Sequence, residues 1–177
     1  MCIRDRAKSA YELNVEKVIS EMLGAVYDMA GRKIGALLVL EGKTKLNEIV
    51  ETGTEIDAKI TKQILCNIFI PNTPLHDGAV IIRDGKIKSA ACFLPLTQRK
   101  DLSKDLGTRH RAGIGISEIS DSLILIVSEE TGHVSIARSG KIYRDVSKER
   151  LANILKNFYK NNSEEKGLGL VKDFFNK

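Results

Sequence analysis

The chain has 177 residues, of which 42% are hydrophobic and 29% are charged. That balance excludes an intrinsically disordered chain, and the length predicts a single globular domain with a substantial core. The formal net charge of +5 is compatible with an anionic partner but does not distinguish a nucleotide from nucleic acid or a membrane surface. Aromatic residues make up only 5%, so no row of rings that would stack on single-stranded nucleic acid is predicted.

Neither a membrane span nor a secretory signal is predicted. No apolar run approaches the ~20 residues that cross a bilayer, and the first six residues lack an apolar core segment. We therefore expect a cytoplasmic protein. Residues 1–9 share no pattern with the rest of the chain, which indicates a foreign leader or the start of a truncated frame. The cysteines Cys2, Cys66 and Cys92 show no CxxC spacing and are expected to be reduced thiols.

The amino-terminal half predicts two helices around a buried strand. Apolar residues at helical spacing over 10–30 predict an amphipathic helix that ends at Gly31. The continuously apolar segment 34–40 is typical of a strand covered on both faces. A second helix is predicted over 59–69, and Pro71 prevents its continuation.

The carboxy-terminal half predicts strands, a helix and a polar end. Asp84-Gly85 is a strong signal for a two-residue hairpin between two strands, and Ser147 is a good N-cap for a late helix. A polar linker is predicted over 161–166, followed by a short amphipathic segment to residue 177. The predicted strands are 78–83, 86–94, 122–127, 134–138 and 142–145. We predict an α/β fold of one domain, a central twisted mixed β-sheet flanked by helices on both faces.

An acidic motif precedes one of these strands. Asp77 stands directly before Gly78, so its carboxylate is expected at the mouth of an apolar strand, where a glycine would let a ligand approach the backbone. The alternative is that residues 76–78 only form a turn. A metal phosphohydrolase site is excluded, because it needs a helical His-Asp pair with upstream histidines and no histidine precedes His76.

A basic motif, Gly107-Thr108-Arg109-His110-Arg111, stands where another helix is predicted to begin. Free backbone N–H groups at a helix start and arginine forks both suit phosphate oxygens. Gly113 and Gly115 weaken the helix prediction. The alternative is a solvated basic turn whose arginines pair with Asp101 or Asp105.

A third group of polar residues, Ser128-Glu129-Glu130, comes directly after the predicted strand 122–127. Like Asp77, these side chains are expected to project from an end of the sheet. They could complete a metal site or hold a ribose. The alternative is that these acids are simply solvated in a turn.

Taken together, these residues resemble the diadenylate cyclase family, and in particular the catalytic domain of its membrane-linked branch. The two family signatures stand here as Asp-Gly-Ala at 77–79 and Arg-His-Arg at 109–111. The flanking segments 69–76, 106–108 and 128–132 are also similar, and the resemblance covers most of the chain. A catalytic domain is therefore expected over residues 10–160.

The resemblance implies an enzyme that condenses two ATP molecules into cyclic di-AMP and releases two pyrophosphates, with Mn²⁺, Mg²⁺ or Co²⁺ as divalent metal. It implies that Asp77 activates the ribose 3′-hydroxyl and binds the metal, with His76 and Glu129 as further candidate ligands. Arg109, His110 and Arg111 would hold the phosphates. The other residues implied in ATP binding are Gly78, Ala79, Leu94, Gly107, Thr108, Ser128 and Glu130.

The reaction also determines the expected partners. Two bonds must form, each joining a hydroxyl of one ATP to a phosphate of the other, so we predict a homodimer whose protomers meet face to face. No nucleic-acid partner is expected, and the resemblance implies that a longer native form is anchored at the cytoplasmic membrane. The rival functions are a nucleotide-sensing module without turnover and a basic nucleic-acid-binding domain.

Overall fold

The computed structural model describes the backbone of residues 3–175 and the side chains of residues 14–163. Its described backbone forms one seven-stranded sheet and five helices, which confirms the predicted α/β class. In chain order the elements are α1 (Ile3–Gly31), β1 (Ala36–Leu40), α2 (Asn47–Thr52), β2 (Thr54–Lys59), α3 (Lys62–Ile68), β3 (Ala79–Arg83), β4 (Lys86–Cys92), α4 (Thr108–Ile119), β5 (Leu123–Val127), β6 (Val134–Arg138), β7 (Lys141–Tyr143) and α5 (Lys148–Phe175).

The sheet is mixed, with strand order β2-β4-β3-β1-β5-β6-β7. The central strands β1 and β3 are parallel, with Leu38 opposite Val80, and every other neighbouring pair is antiparallel. Ala36 at the start of β1 faces Val127 at the end of β5. The starts of β1 and β3 and the end of β5 therefore share one end of the sheet. We call it the front end, marked by Gly35, and the opposite end the rear end.

Helices cover both faces of the sheet, as predicted. Alternate residues of a strand point to opposite faces, so Leu38 packs into a core shared with α1, α3 and α5. Leu37 packs into a second core shared with α2 and α4. All five residues of β1 are buried, which explains its unbroken apolar sequence.

Helix α4 confirms the prediction that a helix begins at the basic motif, and its glycines have a packing role. A β-carbon at residue 113 would lie 2.7 Å from Ile126 Cδ1, and one at residue 115 would overlap the carbonyl oxygen of Pro95. The two glycines therefore let α4 lie close to β5 on one side and to the segment after β4 on the other. This close packing outweighs their low helix propensity.

Several predicted boundaries are wrong. Helix α2 and strand β2 were not predicted. The helix predicted over 59–69 begins only at Lys62, because β2 extends to Lys59. Strand β4 ends at Cys92, and β7 spans Lys141–Tyr143. The backbone of α5 continues through 161–166 without the predicted linker, and α1 already begins at Ile3.

The predicted cap and the predicted thiols are confirmed where side chains are described. The Arg150 N–H donates to Ser147 Oγ at 3.3 Å, as expected at the start of α5. Cys66 and Cys92 are free, and burial raises the pKa of both thiols. Cys2 and the amphipathic stretch at 167–177 lie outside the described side chains. Within the described part of the chain, no helix combines the length and apolar character that a membrane span requires.

Candidate active site

Asp77 is exposed at the front end of the sheet, immediately before β3. The residue after it, Gly78, has a φ of +122°, which side chains rarely adopt. A β-carbon at residue 78 would lie 2.8 Å from the Cys92 carbonyl oxygen. The space on the side of this β-carbon is filled by the end of β4, so Gly78 has a packing role, and its contact with a ligand stays a prediction. Ala79 is fully buried in the core under α4.

The basic motif forms the start of α4 at the same end of the sheet. Gly107 is the N-cap residue, with extended backbone and no side-chain hydrogen bond that caps the helix, and Thr108 is the first helical residue. Both are exposed. The first N–H groups of a helix have no partner within the helix. This start of α4 therefore offers backbone donors to an anion.

Arg109 is held in place by two residues that flank strands, Gly35 before β1 and Glu129 after β5. Its Nη1 forms an ion pair with Glu129 Oε2 at 2.9 Å, and the side chains are 23% and 61% exposed. A β-carbon at residue 35 would lie 2.6 Å from Arg109 Cζ, so the guanidinium lies against Gly35. Gly35 was not predicted as a site residue, and its signal in the sequence is a glycine directly before a fully apolar strand. Arg109 is thereby fixed over the front end, between β1 and β5.

The acidic and basic motifs meet at the front end. Leu38 pairs with Val80 in the parallel β1–β3 ladder. Continuing that register backwards places Asp77 level with Gly35, the residue on which the Arg109 guanidinium lies. Neighbouring strands are ~5 Å apart. Asp77 and the Arg109 guanidinium therefore lie at the same end of the sheet, beside the starts of the neighbouring strands β3 and β1.

His110 is 7% exposed, in the first turn of α4. Burial lowers the pKa of His110, the positive charges of Arg144 and Arg109 lower it further, and Glu130 opposes them. The imidazole is therefore neutral at pH 7. It can bind a phosphate oxygen by a hydrogen bond but not by charge.

Arg111 faces a different side of α4 from Arg109. Successive residues of a helix are about 100° apart, and residues four apart share a face. Arg111 shares a face with Gly115, which packs against the segment after β4. Arg109 and Arg111 therefore leave α4 on different sides. The alternative of a solvated turn is excluded for Arg109, whose ion pair is with Glu129, while Asp101 pairs with Arg99.

The remaining predicted residues frame this end of the sheet. Ser128 belongs to the turn after β5, where its Oγ accepts the Thr131 N–H at 3.2 Å. Glu130 is exposed in the same turn, and its charge acts on His110. Leu94 is half-buried after β4 and packs against the core under α4.

A metal at the front end would have to share its coordination with a ligand. Among the described side chains, no three His, Cys, Asp or Glu residues form a metal-binding group. His76 donates from Nδ1 to the Thr73 carbonyl oxygen at 2.6 Å, which leaves Nε2 as the free acceptor, an orientation common among histidine ligands. Asp77 next to it is an exposed carboxylate. These donors fit a cation held by one or two side chains together with substrate phosphates.

The mixed sheet, the exposed carboxylate and the helix start with an arginine define an α/β domain whose front end offers groups that suit an anionic ligand. Residues 23–142 match the family described as DisA bacterial checkpoint controller nucleotide-binding. The chain belongs to this family, the diadenylate cyclases. The resemblance inferred from the two motifs is thereby confirmed.

Comparison with individual relatives supports the same family assignment. The chain is 48% identical to the cyclic di-AMP synthase CdaA of Bacillus subtilis over 90% of its own length and 59% of the relative. It is 50% identical to a diadenylate cyclase of Listeria monocytogenes over 85% of its length and 55% of the relative. A crystal structure of a DacA double mutant from Staphylococcus aureus superposes with a TM-score of 0.80 at 49% identity, covering 81% of this chain and 96% of that chain. The chain thus spans less than two thirds of the length of these curated relatives.

Proposed function

We propose that this protein condenses two ATP molecules into cyclic di-AMP with release of two pyrophosphates. The observation that carries the proposal is that Asp77, just before β3, and the guanidinium of Arg109, which lies against Gly35 just before β1, share the front end of the sheet. The names of the relatives, cyclic di-AMP synthase and diadenylate cyclase, support the same reaction.

In the proposed reaction, a ribose 3′-oxygen of one ATP attacks the α-phosphorus of the other, and pyrophosphate leaves in line. Such phosphoryl chemistry depends mainly on positioning and charge neutralisation. The Asp77 carboxylate accepts the proton of the 3′-hydroxyl. Arg109 and the free N–H groups at the start of α4 bind phosphate oxygens, and neutral His110 adds a hydrogen bond.

A divalent metal, Mn²⁺, Mg²⁺ or Co²⁺, belongs to the proposal. Asp77 and His76 Nε2 would hold it together with phosphate oxygens, and Glu129 would join them if it leaves Arg109. A bound metal would shield phosphate charge and ease deprotonation of the hydroxyl.

The proposal includes a homodimer. The described residues of one chain provide one acidic and one basic motif, whereas ring closure needs two attacks on two α-phosphates. Two protomers that face each other across a two-fold axis, each with one ATP, supply both. Specific activity should then rise with protein concentration over the range in which sedimentation shows dimer formation. Full turnover by a strict monomer would contradict the dimer and leave the reaction itself standing.

The direct test is incubation with ATP and Mn²⁺, followed by mass spectrometry for cyclic di-AMP and an assay for pyrophosphate. We expect both products in a 1:2 ratio from wild type, and loss of both from Arg109→Ala together with weaker ATP binding. The rival, a nucleotide-sensing module, predicts ATP binding by calorimetry without product. A nucleic-acid-binding domain predicts salt-dependent DNA binding instead.

We further propose that the reaction takes place in the cytoplasm, in a form anchored at the membrane. A solved structure from Bacillus cereus that the chain matches at 47% identity and TM-score 0.70 is described as a hypothetical membrane spanning protein. Fractionation of cells that express the native gene would test this. Recovery of all activity in the soluble fraction would contradict the anchor.

A further inference from the structure

A third arginine, Arg144, lies beside the first turn of α4. We propose that Arg144 binds the phosphate chain of the nucleotide, on the side of His110 opposite to Arg109. This inference rests on the proposed function, because it assigns a further binding residue to the same site. Nothing in the two family motifs includes Arg144, which lies well after both of them in the chain.

The register of the last strand places Arg144 at the front end. Strand β6 begins there, because Val134 pairs with Val127 at the end of β5. Tyr143 pairs with Ile136 in β7, and beyond the strand the Val146 N–H donates to the Val134 carbonyl oxygen at 2.8 Å. Arg144, between these two contacts, is therefore at the level of the start of β6.

The alternation of side chains puts Arg144 on the face covered by α4. Ile142 of β7 packs against the core under α4, and so does its partner Ala137 in β6. Residues two apart in an extended segment point to the same face. Arg144, two residues after Ile142, therefore projects toward α4 rather than toward α1 and α5.

Helix α4 and β7 run side by side in opposite directions. The Gly140 N–H, just before β7, donates to Ser117 Oγ in the second half of α4 at 3.0 Å. From Ser117 back to His110 the helix covers about 10 Å, at 1.5 Å per residue. From Gly140 to Arg144 the chain covers about 13 Å when extended. The two lengths match closely enough to bring Arg144 beside His110.

The local electrostatics agree with this placement. Arg144 is exposed, and its positive charge is the strongest charge that lowers the pKa of His110. No ion pair to Arg144 occurs among the side chains of residues 14–163. The nearby acid is Glu130, whose negative charge raises the pKa of His110. An unpaired guanidinium beside a buried neutral imidazole and free helix N–H groups suits a phosphate oxygen.

The position of Arg111 strengthens the inference. Arg111 shares a face of α4 with Gly115, on the side of the segment after β4. His110 instead shares a face with Ile114 and Ser117, the face that meets β7. Arg144 is therefore the arginine that can extend the phosphate site past His110, away from the ion pair of Arg109.

The test compares ATP with AMP binding by calorimetry in wild type, Arg144→Ala and Arg144→Lys. We expect Arg144→Ala to weaken ATP binding about tenfold, the usual scale of one charge-assisted hydrogen bond. AMP binding should change less than about twofold, because the guanidinium is proposed to contact the outer phosphates. Arg144→Lys should recover part of the loss. A change in fold alone would weaken both ligands equally, so the difference between ATP and AMP separates binding from structure.

The matched control is Lys141→Ala, which removes the same charge from the exposed start of β7 near the rear end. Equal losses in the two variants would refute a specific contact and indicate only a general field. Unchanged ATP binding in Arg144→Ala would also overturn the inference. If Arg144→Ala does not fold, Arg144→Gln gives the same comparison. Failure of the proposed cyclase reaction would show as absent product in wild type, a result independent of this difference in binding.

Discussion

The two ends of the central strands both carry an acid and an arginine, but they use them differently. At the rear end, Glu41 follows β1 and Arg83 ends β3. Arg83 donates to both Glu41 oxygens at 2.8 Å, and Lys45 and the Leu46 N–H add bonds at 3.0 Å. At the front end, Arg109 has one ion-pair contact among the described side chains, with Glu129, and Asp77 is exposed.

The difference separates a structural network from a site. The Glu41 side chain is 1% exposed, and although burial opposes it, hydrogen bonds from Arg83, Leu46 and Lys45 lower the pKa of its carboxyl. Its oxygens are fully occupied, so they have nothing left for a ligand. The front end keeps helix N–H groups, an exposed carboxylate and a partly exposed guanidinium. Hydrogen-bonding groups that are fixed in position and not fully occupied by protein partners can bind a substrate.

The largest effect should come from Asp77→Asn. Loss of the base should lower the rate of cyclic di-AMP formation by about 10³-fold, the middle of the range for a general base. Tm should change little, because Asp77 is exposed. ATP binding measured in EDTA should also change little, because Asp77 then has no metal to hold. The assay is mass spectrometry of the product, with calorimetry for binding. Asp57→Asn is the control, an exposed aspartate on β2 whose φ of +46° asparagine also tolerates. Full activity in the Asp77 variant would remove this residue from the mechanism.

At the rear end, Glu41→Ala should destabilise the fold and spare the site. Removal of Glu41 leaves Arg83, which is 22% exposed, without its ion-pair partner, a cost of about 3 kcal/mol. Tm should then fall by roughly 5–10 °C, measured by circular dichroism, while the KM for ATP of the folded enzyme stays the same. Glu51→Ala, an exposed acid of α2, should change neither. A raised KM with unchanged Tm would mean that the rear end belongs to the site after all.

Lowering the pH should reduce the free energy of unfolding, because His110 is buried in its neutral form. Its pKa is lowered from 6.5 in the folded protein, so the unfolded chain binds a proton first as pH falls. Stability contributed by the neutral imidazole is therefore present above about pH 6.5 and declines below it, by at most about 1.4 kcal/mol per pH unit. Urea unfolding at pH 7 and 5.5 measures this. His110→Asn should flatten the dependence, and an equal slope in that variant would assign it to other groups.

The smallest effect should come from Glu129→Gln. In the absence of nucleotide, the Glu129 carboxylate neutralises Arg109 at 2.9 Å. Without the Glu129 charge, a triphosphate no longer has to displace a carboxylate from the Arg109 guanidinium. ATP binding in EDTA should therefore tighten about threefold, a modest change because Glu129 is largely exposed. Calorimetry in EDTA keeps any metal role of Glu129 out of the measurement. Glu130→Gln is the comparator and should tighten binding less. Weaker ATP binding in Glu129→Gln would show that the ion pair positions Arg109 for substrate.

Short segments of the sequence were enough to predict several elements of this fold. The unbroken apolar run of β1 predicted a strand buried on both faces, Asp84-Gly85 predicted the β3–β4 hairpin, and Ser147 predicted the start of α5. Each of these signals acts over a few neighbouring residues, through burial, turn geometry or a cap. The two charged motifs could also be recognised in the sequence, because acids and arginines directly beside apolar strands do not contribute to core packing.

Only the tertiary structure decided how those motifs meet. Gly35 supports Arg109, the end of β4 fills the space beside Gly78, and Glu129 is the partner of Arg109. Strand β2 was missed because its pairing with β4 forms it, whereas its own residues are polar and mostly exposed. Such contacts join segments far apart in the chain, and no local pattern specifies which strands become neighbours. The sequence alone showed which charged residues the motifs contain, whereas the contacts of these residues depend on the order of strands in the sheet.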